Sequence, residues 1–268
     1  MRNPATRFSA QHPAAHLTWV GHSTVLLGLD GVRLLTDPVL RNQVGHLRRK
    51  VPVASATEYA DVDAVLVSHL HFDHLDPPSL ERLGRRVPLV VPRGGGGLLS
   101  RRGFRVVVEV EAGEEIQLGA LTVRATHARH NGSRLPFGVK APALGYAVTG
   151  SCRIYFAGDT DLFDGMKEIG QGLDIALVPI WGWGPSAGSG HLDPRRAAEA
   201  LRLLRPLLAV PIHWGTYAPL GLGRLQSALV ADPVTAFRRH AAKLAPEVEV
   251  HVLDPGETLR LDAITSGG

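Results

Sequence analysis

The sequence has almost no cysteine: Cys152 is the only one in 268 residues. A lone thiol forms no internal disulfide, which excludes a disulfide-stapled secreted scaffold and fits a reducing cytoplasm. Long apolar runs are missing too. No window approaches the roughly 18 uninterrupted apolar residues of a membrane-spanning helix. Gln11, His12, His16 and His22 break up every apolar stretch near the start, so no secretory leader is expected. Charge is sparse, with 20% charged residues against 44% hydrophobic ones, which excludes a disordered chain or a coiled coil. Lysine is scarce as well, since 25 of the 29 basic residues are Arg, whose planar fork suits phosphate and carboxylate.

What the chain does have is histidine, 13 residues of it, and short apolar runs divided by turn signals. These patterns predict strands at 16–20, 24–29, 32–36, 64–68, 89–91, 105–110, 116–118, 121–126, 144–149, 153–157, 175–179, 208–211 and 248–252. Three helices open with one device, a capping Asp before a Pro at the first helical position. They are Asp76 before 77–86, Asp193 before 194–204 and Asp232 before 233–244. Shorter helices are expected near 97–102 and 162–169. No low-complexity linker or short repeat divides the chain. One domain over 1–268 is therefore expected, with two similar halves meeting near residue 115 and a frayed tail at 265–268. Many strands and few helices suggest an α+β chain of two sheets packed face to face with helices outside.

The sharpest signal is His69-Leu70-His71-Phe72-Asp73-His74, directly after an apolar run that reads as a buried strand. In extended chain His69 and His71 point to one side, because side chains alternate. Once the chain turns, Asp73 and His74 can face a neighbouring point. Two imidazoles for one ion, and a carboxylate with an imidazole for another, suit zinc, with manganese or iron as alternatives. More polar residues follow later strands: His127 and His130, Asp159 and Asp161, and His213, with His191 in a Gly-rich loop before a helix. Strand ends on one rim let a sheet scaffold gather ligands from distant parts of a chain. A carboxylate such as Asp159 has two oxygens with which to bridge two cations.

In order along the chain stand WVGHSTVLL, LLTDP, VLVSHLHFDHLD, THARH, YFAGDTD, GHLDP and PIHWGT, spanning residues 19 to 216. With these segments the sequence resembles the metallo-β-lactamase superfamily, and within it the branch of N-acyl-phosphatidylethanolamine phospholipase D and the ascorbate-phosphate lactonases. The resemblance implies an αββα sandwich with a two-metal site on one edge. It implies His69, His71 and His130 as ligands of a first metal, Asp73, His74 and His213 as ligands of a second, and Asp159 as the carboxylate between them. It also implies that His191, in GHLDP, lies beside the substrate. His127 stands three residues before His130, and the family pattern favours His130. Antibiotic-degrading members carry a Cys in the second metal's shell. Cys152 lies in no matching motif, so β-lactamase activity is disfavoured and Cys152 reads as a core thiol.

The expected activity is hydrolysis by a hydroxide bridged between two divalent cations, with Asp73 orienting it and His191 donating to the substrate or its leaving group. A phosphodiester is the first expectation for the substrate, and a lactone or other carboxylic ester is the alternative. From outside enzymes, the alternative is a metal-binding sensor or interaction module, against which the complete ligand set speaks. The net charge of +4 suits a small anionic substrate, and no aromatic-basic platform for nucleic acid is visible. Asp37 is expected either to hold a ligand imidazole or to shape the turn before Pro38. His22 is expected near the same rim, with nothing in the sequence assigning it to a metal. The stretch from Arg41 to Lys50 reads as a solvated basic loop, and Arg129, Arg134 and Lys140 are candidate anion binders. Trp181 to His191 reads as a loop that walls the site or lies on the surface.

Overall fold

The computed structural model describes residues 15–53, 55, 59–134, 138–181, 190–220 and 232–261. Its strands are β1 (His16–Gly21), β2 (Thr24–Leu29), β3 (Val32–Thr36), β4 (Gln43–Val44), β5 (Leu47–Arg49), β6 (Ala64–Leu66), β7 (Leu89–Pro92), β8 (Val107–Val110), β9 (Glu115–Leu118), β10 (Leu121–His127), β11 (Leu144–Thr149), β12 (Arg153–Phe156), β13 (Ile175–Pro179), β14 (Leu208–Ile212), β15 (Tyr217–Pro219), β16 (Glu249–Val250) and β17 (Thr258–Arg260). The helices are α1 (Pro77–Leu83), α2 (Gly96–Ser100), α3 (Met166–Ile169), α4 (Pro194–Leu204) and α5 (Pro233–Leu244). One seven-stranded sheet runs β17-β1-β2-β3-β6-β7-β8 and the other runs β16-β14-β13-β12-β11-β10-β9, while β15, β5 and β4 make a small third sheet.

Alternation along the strands builds the layers. In β2, Val25, Leu27 and Leu29 enter the core between the two large sheets, whereas Leu26 faces outward. In β13, Ile175 and Leu177 enter that same core, whereas Ala176 and Val178 face α4 and α5. The outer face of the first sheet is covered by Leu80 of α1 and Leu99 of α2. Ala197, Leu201 and Phe237 of α4 and α5 cover the outer face of the second. Both faces of each sheet are thus buried, which is why the central strands read as continuous apolar runs. The result is the α+β sandwich expected from the sequence.

The three Asp-Pro devices behave as expected, with Asp76, Asp193 and Asp232 each accepting a backbone N–H of the first turn. The expected helix 77–86 stops at Leu83, because Gly84 takes φ 96°, ψ 146° and ends it. Of 162–169 only Met166–Ile169 is helical, since the Asp161 carboxylate takes the Leu162 N–H into a turn. The basic stretch 41–50 is no solvated loop. It forms β4 and β5 and buries Arg49, whose guanidinium donates to the carbonyls of Val20 and Val39 and to the Tyr217 hydroxyl. The tail at 265–268 lies outside the described residues. Among the described residues, no helix is long and apolar enough to cross a membrane.

Candidate metal centre

Strand direction gathers the site. β3 and β6 are parallel, and so are β12, β13 and β14. β1 lies two antiparallel steps from β3, and β10 lies two from β12, so each runs in its neighbour's sense. The carboxyl ends of all these strands therefore share one edge of their sheet. Past those ends come His22, Asp37, the 69–74 segment, His130, Asp159, Trp181 and His213. Three of these leave their strands in the left-handed region, His22 at φ 55°, Asp37 at φ 33° and His213 at φ 60°. Non-glycine residues adopt that region at a cost, and such strain concentrates at functional sites. Gly158 also sits there, at φ 58°, where a Cβ would lie 2.6 Å from Ser68 Cβ and 2.8 Å from the Leu144 carbonyl oxygen.

Two groups of donors result. In the first, His71 Nδ1 is 3.0 Å from His69 Nε2 and 3.2 Å from His130 Nε2. In the second, Asp159 Oδ2 is 3.4 Å from His74 Nε2, Asp159 Oδ1 is 3.4 Å from His213 Nε2, and Asp73 Oδ2 is 3.7 Å and 3.9 Å from the same two nitrogens. Ligands held about 2.0–2.1 Å from a tetrahedral zinc ion stand about 3.3 Å apart, so both groups have the spacing of donors around a cation. His74 Nε2 and Asp159 Oδ1 are buried with no hydrogen-bond partner among the described residues. Buried polar atoms are normally paired, and a cation would satisfy both.

For four of the five rings, all but His71, the far side explains this orientation. His74 Nδ1 donates to Asp37 Oδ2 at 2.7 Å, His130 Nδ1 to the Gly190 carbonyl at 2.8 Å, and His213 Nδ1 to the Trp181 carbonyl at 2.6 Å. Ser68 Oγ donates to Asp37 Oδ2 and so accepts from His69 Nδ1, 3.0 Å away. Each partner fixes the tautomer with its proton on Nδ1 and leaves the Nε2 lone pair aimed inward.

Charge agrees with this reading. Burial, reinforced by neighbouring imidazoles, holds His69 well below the usual histidine range and lowers His71, while burial lowers His130 to about 4. Neutral imidazoles are the form that binds metal. Burial alone would push Asp73 and Asp159 up, but the surrounding histidines hold both carboxyls well below their ordinary value. Burial likewise pushes His74 down, yet Asp159, Asp73 and Asp37 hold it well above its usual value, so without metal its Nε2 also carries a proton, which a cation would displace. Among the described residues, no Lys or Arg pairs with those three carboxylates. The pocket carries an excess of negative charge that divalent cations would balance.

The structure thus brings together His69, His71, Asp73, His74, His130, Asp159, His191 and His213. His191 sits beside the donor groups, with Nε2 3.3 Å from Asp159 Oδ2 and a quarter of its side chain exposed. His127 stands apart, its ring edge-on to Phe163. Asp37 is buried behind His69 and His74 and supports both. His22 is the residue that sequence reasoning undervalued: it is buried, its ring lies 4.0 Å from that of His213, and Nε2 is 3.1 Å from Asp73 Oδ2. The GHST segment marks a tight turn, but no spacing links it to residues 73 and 213. Asp161 accepts from Leu162 and pairs with Arg196. Burial pushes the Cys152 thiol up to about 12 and leaves it a core residue. Residues 182–189 of the Trp-containing loop lie outside the described residues.

Comparison with known proteins agrees with this geometry. Residues 32–214 match the β-lactamase superfamily domain. The chain is 34% identical over 230 residues to an N-acyl-phosphatidylethanolamine-hydrolyzing phospholipase D of Caenorhabditis elegans, which covers 76% of this chain and 64% of the nematode protein. It is 31% identical over 250 residues to a metal-dependent hydrolase of Methanopyrus kandleri, covering 90% of this chain and 98% of that one. The solved structure of Igni18, a metallo hydrolase from Ignicoccus hospitalis, superposes with a TM-score of 0.70 at 27% identity, covering 92% of this chain and 98% of the other. The chain belongs to the β-lactamase superfamily, among its metal-dependent hydrolases.

Proposed function

We propose that this protein hydrolyses a phosphodiester with two divalent cations, one held by His69, His71 and His130 and the other by Asp73, His74 and His213, with Asp159 between them. The observation that carries this reading is the set of inward Nε2 lone pairs, each fixed by a partner on Nδ1. Zinc suits a donor set rich in imidazole with few carboxylates, ahead of manganese and iron. The phosphodiester follows from the nematode relative, a phospholipase D by name, and from the net charge of +4. The lone, buried Cys152 suits a reducing cytoplasm as the place of action.

When bound, such cations would lower the pKa of a water they hold toward neutrality and polarise the substrate's phosphoryl oxygen. Asp73, steadied by His22 at 3.1 Å, orients the attacking water oxygen. That oxygen, its water having given up one proton to solvent, bonds to phosphorus as the opposite ester bond breaks. His191, beside Asp159 and a quarter exposed, delivers a proton to the departing alkoxide.

The test is turnover of a chromogenic phosphodiester and of a lactone by metal-depleted protein titrated with zinc and, separately, with manganese. His71→Ala is carried in parallel. Diester turnover that saturates at two metals per chain and is absent in the variant is expected. Two bound metals with turnover of the lactone alone would overturn the phosphodiester, and a protein that takes up no metal would overturn the site.

A further inference from the structure

Arg134 stands outside both donor groups, four residues after His130. Its Nη1 donates to the Leu70 carbonyl at 3.1 Å and to the Leu75 carbonyl at 2.8 Å. Leu70 and Leu75 are themselves fully buried, and among the described residues these carbonyls accept from no other group. The guanidinium carbon also lies 4.1 Å from the centre of the Phe72 ring, a cation–π distance. One side chain therefore grips the 70–75 segment at its beginning, middle and end. Between those grips stand His71, Asp73 and His74. A second tie runs parallel, since the Leu70 N–H donates to the Gly132 carbonyl at 3.0 Å.

We propose that Arg134 is a positioning residue that braces the loop presenting His71, Asp73 and His74 and couples it to the segment presenting His130. The inference rests on the reading of those residues as metal ligands. The physical argument is one of satisfaction and shape. Two buried carbonyls without a donor would each cost free energy comparable to a lost hydrogen bond, so the loop keeps its conformation only while the guanidinium is present. The two N–H bonds of Nη1 reach both carbonyls while the guanidinium carbon stays over the Phe72 ring. Arg134 Nη1 is thereby committed to the backbone.

The experiment compares wild type with Arg134→Ala and Arg134→Lys, using the exposed Arg101→Ala as the charge control. Circular dichroism checks the fold of each. Zinc affinity is measured by chelator competition, the visible absorption of the cobalt-loaded proteins is recorded, and amide exchange is followed at His74 and Leu75. Those two amides donate to the His71 carbonyl and so report on the loop itself. Arg134→Ala is expected to weaken zinc binding about 10–100-fold, as loss of an orienting partner typically does, to alter the cobalt spectrum, and to speed exchange at both amides. Arg134→Lys is expected to fall between the two, and Arg101→Ala to match wild type. A wild type that binds zinc and an Arg134→Ala variant that binds it equally well would overturn this inference alone. Faster exchange with unchanged affinity would overturn it too, because the brace would then serve only the fold. A wild type that takes up no metal would overturn the reading of the site on which the inference stands.

Discussion

His74 Nδ1 donates to Asp37 Oδ2 at 2.7 Å, with both side chains fully buried. The same oxygen accepts from Ser68 Oγ at 2.5 Å, and Ser68 in turn holds His69. One carboxylate therefore sets the tautomer of a ligand in each donor group. Asp37→Asn is expected to fold and to bind zinc about 10–100-fold more weakly, read by chelator competition. Asp37→Ala leaves buried partners unsatisfied and is expected to cost about 3–5 kcal/mol of stability, read by denaturant titration. An Asp37→Asn protein with wild-type affinity would show that the pairing is not functional.

Gly158 precedes Asp159 and lets its strand end pass against Ser68. Gly158→Ala places a Cβ at φ 58° and within 2.6 Å of Ser68 Cβ. Strain and overpacking together are expected to cost about 2–5 kcal/mol. The midpoint of urea unfolding should fall accordingly, and an unchanged midpoint would mean that the two strand ends can separate freely.

His22 touches Asp73, and its ligand atom lies within 4.8 Å of those of Asp73, His74 and His213. His22→Phe keeps a ring against His213 while removing the nitrogen 3.1 Å from Asp73. We expect two metals per chain to be retained and kcat to fall roughly tenfold, the order seen when an orienting partner is lost. Loss of one metal instead would make His22 a ligand.

Acid should destabilise the metal-free protein before it reaches the carboxylate range. Burial and His213 lower His22 to about 3, and burial lowers His130 to about 4. A histidine held neutral in the fold gains protons in the unfolded chain first. Stability is therefore lost as pH falls from about 6.5 toward those values. His74, held high by its carboxylates, works in the opposite direction: its contribution is present below about 6.5 and fades as pH rises through its folded value. The lowered histidines outnumber it, so stability in chelator at pH 5.5 should lie below that at pH 7.5. Equal stabilities would refute this balance.

Much of the fold was legible in the sequence because both large sheets are buried on both faces, and such strands announce themselves as apolar runs. The strands that escaped notice, β4, β5, β15 and β17, are only two or three residues long. Three residues hold no period to detect. Their pairing is decided by distant partners, Tyr217 with Arg49 and Thr18 with Thr258.

By itself the sequence determined the chemistry of this site. The HLHFDH segment, Asp159 and His213 are donor types at strand ends, His191 is another just before a helix, and the Asp-Pro caps set where three helices begin. Only the tertiary structure decided which of His127 and His130 meets His71, and that Asp37 stands behind two ligands. It alone put His22 against Asp73 and turned Arg134 from a surface cation into a brace. Those relationships join residues 31 to 64 positions apart along the chain. Local preference has no reach over such separations, and they arise when burying the inner faces of two sheets aligns their edges.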